Sequence, residues 1–215
     1  KIPFNYLEGL FSNPEKLYID IAFEDYQKIA FKRSEALEIG LLVTSDDDAV
    51  PATITHEGKQ VKVDLRLKGD NTDHINGDKW YLRAKVKGDD ALFGMKKFSL
   101  QSPERRNQLN EWLYLEALRR EDVLAVRYDF VEVVINGRNM GIYALEEHFD
   151  KHLLENQERR EGPILKFESD EKRNSEFLRE QREFSRVLSE NTYFYPHSVV
   201  SVFKPNSVLE DPIKT

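Results

Sequence analysis

Two neighbouring segments of alternating residues place five cations on one side of a predicted hairpin. Apolar residues at 61, 63, 65 and 67 alternate with polar ones, and residues 80 to 87 show the same pattern. Side chains alternate between the two faces of a sheet, and cross-strand neighbours lie about 5 Å apart. The charged face therefore gathers the cations Arg66, Lys68, Arg83, Lys85 and Lys87. Arginine and lysine both bind phosphate, so an anionic ligand is one prediction and an ordinary solvated sheet face is the alternative.

A second candidate site is a carboxylate within the apolar face of a helix predicted over residues 102 to 120. Burying an unpaired charge is costly, so Glu116 needs a partner. Lys96 or Lys97 on the preceding strand could supply it. A strand lysine held by a helix glutamate positions the phosphate-binding amine of kinases. Glu111 is the competing choice for the glutamate, and an edge-of-core glutamate that meets solvent is the alternative to both.

Two further patterns contain metal-binding residue types without the spacing of a complete site. His148 and His152 are four residues apart, but their order is not the zinc-protease His-Glu-x-x-His. Residues 46 to 48 are three adjacent aspartates that lack the full ligand spacing of a calcium loop. We therefore predict surface histidines, a solvated acidic turn and no metal site.

Composition excludes several classes of protein. The chain has 215 residues, of which 40% are hydrophobic and 33% are charged, which is typical of a globular protein. A formal charge of −7 argues against general nucleic-acid binding, which needs cations to neutralise phosphates. The absence of cysteine excludes disulfides and thiolate chemistry. The longest apolar runs are far shorter than the roughly 20 residues of a transmembrane helix, and no signal-peptide pattern is present.

Periodicity predicts a chain of mixed strands and helices. The Asn136-Gly137 pair between two apolar runs is a strong hairpin signal. The predicted fold class is α+β, with a mainly antiparallel sheet, packed helices and a charged helical extension. The predicted strands cover residues 17–21, 61–67, 80–87, 93–100, 126–135, 141–145 and 163–167, and the predicted helices cover residues 23–37, 102–120, 147–156 and 169–190.

Several short motifs occur in a fixed order between residues 60 and 168. They read L-R-L-K-G-D at 65–70, F-G-M-K-K-F-S-L at 93–100, L-N-E-W-L at 109–113, an arginine at 127, V-I-N-G at 134–137, G-I-Y-A-L-E-E at 141–147 and G-P-I-L-K at 162–166. In this order they resemble the CotH (spore coat protein H) family of kinase-like proteins. The individual motifs are short, and the ordered set carries the resemblance.

The resemblance implies a function and a division of the chain. Members of the family are envelope-associated or secreted kinase-like proteins that are thought to bind ATP with magnesium and to phosphorylate protein serines. Residues 60–168 would form the N-lobe of a kinase-like fold, residues 1–59 a strand-helix extension, and residues 169–215 a charged helix and irregular tail leading toward a C-lobe. The turn at 69–74 would cover phosphates. The implied nucleotide-binding residues are Arg66, Lys68, Arg83, Lys85, Lys96, Lys97, Glu111, Glu116, Glu147 near the hinge, and Lys166 in the cleft.

The sequence departs from the family after Lys166. The family's acidic D-x-x-x-N segment and its P-x-D-x-D metal strand are not found there. We therefore expect no catalytic residue in this segment, and we expect ATP and magnesium to bind only together with a C-terminal part beyond this chain. One hypothesis is the N-terminal portion of an ATP-dependent protein kinase with a protein substrate. The other is a non-catalytic binding or structural module of the cell envelope or spore coat, with an envelope partner.

Overall fold

The chain divides into two units, residues 1–159 and 160–215. Along the strands of the first unit, buried apolar residues alternate with outward polar ones. A computed structural model describes residues 14–69, 71–160, 162, 164–168 and 199–203. In the first unit, inward residues such as Leu17, Ile19, Val61 and Val63 have no exposed surface. The seven strands of this unit are β1 (Glu15–Ile21), β2 (Val50–His56), β3 (Lys59–Leu67), β4 (Leu82–Val86), β5 (Lys97–Gln101), β6 (Tyr128–Ile135) and β7 (Arg138–Glu147).

The seven strands close into a barrel with the order β1-β2-β3-β4-β5-β7-β6. All neighbouring strands are antiparallel except β1 and β6, which run parallel with Glu15 opposite Val131 and Ile19 opposite Ile135. Closure pairs the strands that would otherwise be the two edges of an open sheet. The apolar core fills the inside of the barrel.

Helix α1 (Phe23–Ile39) follows β1 after a single residue and lies at one end of the barrel. It buries Ile29 and Ala36 in the barrel core. Its C-terminus is capped by Gly40, whose φ of 86° is in the left-handed region that glycine adopts without strain. The helix therefore covers the barrel end at which β1 and β6 finish and β4 and β7 begin.

Helix α2 (Asn110–Arg120) packs on the outside of the barrel. Its Leu115 joins Tyr128 of β6 and Ala144 of β7 in a second, smaller apolar cluster. The short helix α3 (Lys151–Asn156) begins after Asp150, whose carboxylate accepts a hydrogen bond of 2.9 Å from the backbone N–H of His152. Among the described residues, none of the helices has the length and apolar character that crossing a bilayer demands.

The second unit contains one antiparallel strand pair among its described residues. β8 (Ile164–Glu168) pairs with β9 (Val199–Phe203), and Lys166 lies opposite Ser201. The helix predicted over residues 169–190 lies outside the described residues. The predicted boundaries at residues 59 and 168 stay predictions.

The predicted α+β fold, a kinase-like N-lobe with packed helices and a helical extension, is wrong. The first unit is a closed, mixed, seven-stranded barrel, and the described part of the chain has three α-helices. Two features were not predicted. β2 follows an acidic turn and contains Pro51, which disfavours a strand assignment. The parallel pairing of β1 with β6 joins segments over 110 residues apart, and no local pattern reveals such a pairing.

Candidate functional site

The cations predicted for one hairpin face lie on the outer face of the barrel. Arg66 of β3 is opposite Arg83 of β4, and Arg83 is in turn opposite Ser99 of β5. Ser99 is opposite Glu146 of β7, so the row crosses four strands. Lys68 extends β3 by one residue beyond its last strand position and bonds through its backbone N–H to Tyr81 at 2.9 Å. Cross-strand pairing therefore turns residues from four separate segments into one polar surface.

The central contact of this surface is an ion pair between Lys68 and Glu146. The Lys68 Nζ lies 2.6 Å from the Glu146 Oε2, and the two side chains are 19% and 21% exposed. The Nε2 of Gln101 donates to the same carboxylate oxygen. Gln101 is fully buried and Ser99 is 3% exposed. Two donors thus fix the carboxylate, and the carboxylate fixes the lysine, in a largely desolvated environment.

Arg66 is tied to the segment that precedes β2. Its Nη1 donates to the Thr44 Oγ1 at 2.6 Å, and its Nε lies 3.8 Å from the Asp46 Oδ1. The Arg66 side chain is 16% exposed, whereas the Asp46 side chain is 93% exposed. Hydrogen bonding therefore holds the arginine at the border of the surface, and the distant, solvated aspartate adds little.

The positive end of the surface continues along β4 and β5 to His148. Lys85 lies opposite both Asp64 and Lys97 in the strand register, and the His148 backbone N–H donates to the Lys97 carbonyl at 3.0 Å. Burial lowers the pKa of His148, and the positive charge of Arg83 lowers it further. The contribution of Arg83 to the lowered pKa of His148 indicates positive charge at this end of the polar surface.

Three of the predicted residues have other partners or lie elsewhere. Lys96 donates to the carbonyls of Gly88, at 2.8 Å, and Asp90. Glu116 forms ion pairs along its own helix, at 3.1 Å to Arg119 and 3.5 Å to Arg120. Lys166 lies in β8, and its side chain is outside the described residues.

Glu111 is in the first turn of α2. The predicted pairing of Lys96 or Lys97 with Glu111 or Glu116 stays a prediction.

Glu147, predicted near a hinge, is held inside the barrel wall by Arg127. Its side chain is 1% exposed, and its two oxygens accept from the arginine Nη2 at 2.6 Å and Nε at 2.9 Å. The same guanidinium donates to the carbonyls of Phe93 at 2.7 Å and Gly94 at 3.3 Å. The pair therefore ties the loop before β5 to the barrel end opposite α1.

Gly69 joins Lys68 to the turn predicted to cover phosphates. Its φ is 118°, and a Cβ atom at this position would lie 2.5 Å from the His74 side chain. Only glycine meets both conditions without strain. The Lys-Gly order at 68–69 thus has a structural reason, because the glycine lets the chain turn away directly after the lysine.

Sequence reasoning missed Ser99, Gln101 and Glu146. The alternation of β7 contained a usable signal, since Tyr143 and Leu145 are apolar and point inward. The residue between Leu145 and Glu147 must then point outward, toward the cations. The predicted strand ended at residue 145 and the predicted helix began at residue 147, so Glu146 was not assigned to the sheet.

The described part of the chain contains one group of three side chains with the spacing of metal ligands. Donor atoms of Glu15, His56 and Glu57 lie within 4.8 Å of one another. His56 and Glu15 already form a 2.6 Å contact. The two histidines considered earlier contact other groups, His148 the carbonyl of Phe149 at 3.2 Å and His152 the carboxylate of Glu155 at 3.0 Å.

Fold and surface together define a closed barrel with a glutamate-held lysine beside other cations on its outer face. The model of the family described as CotH kinase protein matches residues 65–195, more than half of the 215 residues, and the chain belongs to this family. The match begins within β3 and includes Lys68, Arg83 and Glu146. A comparison with curated proteins finds no match.

Proposed function

We propose that this chain is the nucleotide-holding, N-terminal portion of a CotH-type protein kinase, and that Lys68 contacts the phosphates of ATP. The observation that supports this function is the 2.6 Å ion pair of Lys68 with Glu146. A lysine fixed by a glutamate is the arrangement with which kinases hold ATP phosphates. Both residues lie on the outer face of the barrel, beside Arg83.

The environment of the pair favours an anionic ligand over an isolated structural ion pair. A lysine ammonium has three donor hydrogens, so one that is held by a carboxylate can also donate to phosphate. Both side chains are about four-fifths buried, where electrostatic attraction is stronger than in bulk water. Arg83 and Lys97 supply further positive charge near His148 in a chain whose formal charge is −7.

The residues of this chain would bind and orient the nucleotide. Magnesium, when bound with ATP, neutralises charge that develops on the phosphates during transfer. The acidic family segments that hold the metal and orient the nucleophile are not found after Lys166. We therefore assign nucleotide binding to this chain, and transfer to protein serines to a protein that also has those segments, at the cell envelope or in the spore coat.

Titration with Mg²⁺–ATP of a longer protein, in which the family's acidic segments follow these 215 residues, tests the proposal through the amide chemical shifts of this domain. We expect shifts at residues 68, 83, 99 and 146, and an affinity about tenfold lower for Lys68→Met, because a bond to a charged group is lost. Lys68→Arg should retain part of the affinity. Lys28→Met is the matched control, because Lys28 is 68% exposed on α1 and pairs with Asp25.

Two results would refute this function. The first is the absence of shifts on this face at millimolar Mg²⁺–ATP. The second is a Lys68→Met protein that is folded, as judged by its thermal unfolding, and binds Mg²⁺–ATP as tightly as the wild type. Glu146→Gln keeps the lysine but removes the charge that holds it. This variant therefore separates the phosphate contact made by Lys68 from the positioning of Lys68 by Glu146.

A non-catalytic binding module is the second candidate. It is favoured by Leu113 and Tyr114, which are 54% and 65% exposed on α2 although both are large and apolar. A partner that binds this helix should be lost on Leu113→Asp, while the Mg²⁺–ATP shifts at Lys68 remain. Equal loss of both would contradict a separate surface.

A further inference from the structure

A cavity of about 300 Å³ lies at the α1 end of the barrel. Its lining combines the helix, the 77–82 segment and the β6–β7 turn, and includes Tyr26, Arg33, Trp80, Ile135, Met140 and Tyr143. The volume is at the lower end of the range of small-molecule sites, which often occupy the mouths of β-barrels. The Lys68–Glu146 pair is not part of this lining.

One inner lining residue is Tyr143, whose hydroxyl has no hydrogen-bond partner within the described part of the chain. The residue has no exposed surface. Buried polar groups nearly always have a partner, and an unpartnered one calls for an explanation. Burial raises the pKa of Tyr143, which keeps the phenol protonated and able to donate. The hydroxyl oxygen has less than 1 Å² of accessible area, so a ligand oxygen would satisfy this donor once a neighbouring flexible side chain moves aside.

Contacts within the protein hold the aromatic wall of the cavity in place. The rings of Trp80 and Tyr26 stack with centroids 5.7 Å apart and planes at 21°. The guanidinium of Arg33 lies 5.0 Å from the Trp80 ring centre, and the indole N–H donates to the Gly77 carbonyl at 3.0 Å. These contacts fix the indole, whereas Met140 is a flexible side chain that adapts to the shape of a guest. A flat, apolar ring suits such a wall.

Positive charge dominates around the cavity. Arg33 and Arg138 line it, and the Lys79 Nζ lies 5.9 Å from the centre of the Tyr143 ring. The acidic lining residue, Asp78, forms an ion pair of 3.0 Å with Arg138, and their side chains are 79% and 67% exposed. Three cations against one carboxylate favour a guest with negative charge.

We propose that this cavity binds a small aromatic carboxylate. Its ring packs against Trp80 and Met140, and one carboxylate oxygen accepts a hydrogen bond from the Tyr143 hydroxyl. The binding is independent of the nucleotide function, since it uses residues inside and at the end of the barrel rather than on its outer face.

The probe for this site is 4-fluorobenzoate, observed by fluorine NMR with the 215-residue protein. We expect saturable binding at millimolar concentrations or below. Tyr143→Phe should weaken it about tenfold, because a hydrogen bond to a charged acceptor is lost while the ring is kept. Met140→Trp should abolish it by filling the cavity. Fluorobenzene, which has no acceptor, should bind the wild type more weakly and be insensitive to Tyr143→Phe.

Two controls separate this site from other binding. Tyr114→Phe removes a hydroxyl from a side chain that is 65% exposed and should leave the affinity unchanged. Lys68→Met should also leave it unchanged, which distinguishes the cavity from the cationic outer face. The proposal is overturned if 4-fluorobenzoate does not bind the wild type at millimolar concentrations, or if folded Tyr143→Phe binds it equally well.

Discussion

Replacement of Arg127 by methionine should remove a large part of the stability of the barrel. The guanidinium makes two bonds to the Glu147 carboxylate, at 2.6 and 2.9 Å, and one to the Phe93 carbonyl at 2.7 Å. The Glu147 side chain is 1% exposed, so the substitution would leave a carboxylate without a cation where water does not reach, with the backbone N–H of residue 127, at 3.2 Å, as its remaining donor from that residue. The carbonyl of Phe93 would lose a donor at the same time.

The size of the effect follows from these contacts. Breaking a buried ion pair by removing one partner typically costs about 3–5 kcal/mol. The arginine is 21% exposed, which places our expectation near 3 kcal/mol. Folded domains are stable by about 5–15 kcal/mol, so this loss would be a large fraction of the total. The double variant Arg127→Met/Glu147→Leu should recover most of it, because no buried charge remains.

Urea unfolding, monitored by tryptophan fluorescence and circular dichroism, measures these free energies. The matched control is Arg138→Met, whose ion pair with Asp78 is exposed and should contribute about 0–1 kcal/mol. A single Arg127→Met variant within about 1 kcal/mol of the wild type would refute the reasoning. So would a double variant that is no more stable than the single one.

The predicted nucleotide role of Glu147 is tested separately, by the Mg²⁺–ATP affinity of a folded Glu147→Gln protein.

Two other changes have definite expected outcomes. Asn136→Ala removes side-chain hydrogen bonds to the Ile21 N–H at 2.8 Å and to the Ile21 carbonyl at 3.0 Å, at a residue whose φ is 47°. Urea unfolding should show that the free energy of unfolding falls by about 2–4 kcal/mol. Asn136→Gly should lose less, because glycine tolerates this backbone angle. The His148 titration, followed by NMR, should have a midpoint below its ordinary pKa of 6.5. Because the unfolded chain binds that proton more readily, His148 should reduce stability as the pH falls below 6.5, and a His148→Gln protein should lack this component. Bound Mg²⁺–ATP should move the midpoint upward, whereas a midpoint at or above 6.5 in the free protein would contradict the positive environment.

The strand patterns were readable from sequence because their cause is local. Residues 61 to 67 alternate in polarity, and β3 places Val61, Val63, Leu65 and Leu67 inside the barrel. The Asn136-Gly137 turn predicted the β6–β7 hairpin, and that hairpin is present. Closure depends instead on the pairing of β1 with β6. This pairing rests on backbone hydrogen bonds, which any residue except proline can make, so no residue type marks it in the sequence.

The cations of the candidate site were predictable from the sequence, but the glutamate that holds Lys68 was not. Alternation placed Arg66, Lys68 and Arg83 on one face, because each strand carries its own pattern. The glutamate was sought on a helix, whereas Glu146 reaches Lys68 from β7, 78 residues along the chain. That contact depends on β5 lying between β4 and β7, and strand order is a property of the whole barrel.

The parallel seam between β1 and β6 also determines where this protein tolerates truncation. The family match starts at residue 65, whereas β1 and β2 end at residues 21 and 56. A fragment trimmed to the match would lose both strands and most of β3, and β4 and β6 would each present a row of unpaired backbone groups. Such rows recruit other chains, so the trimmed fragment should aggregate or dimerise through its strands. Recombinant versions of this domain therefore need to start before Glu15.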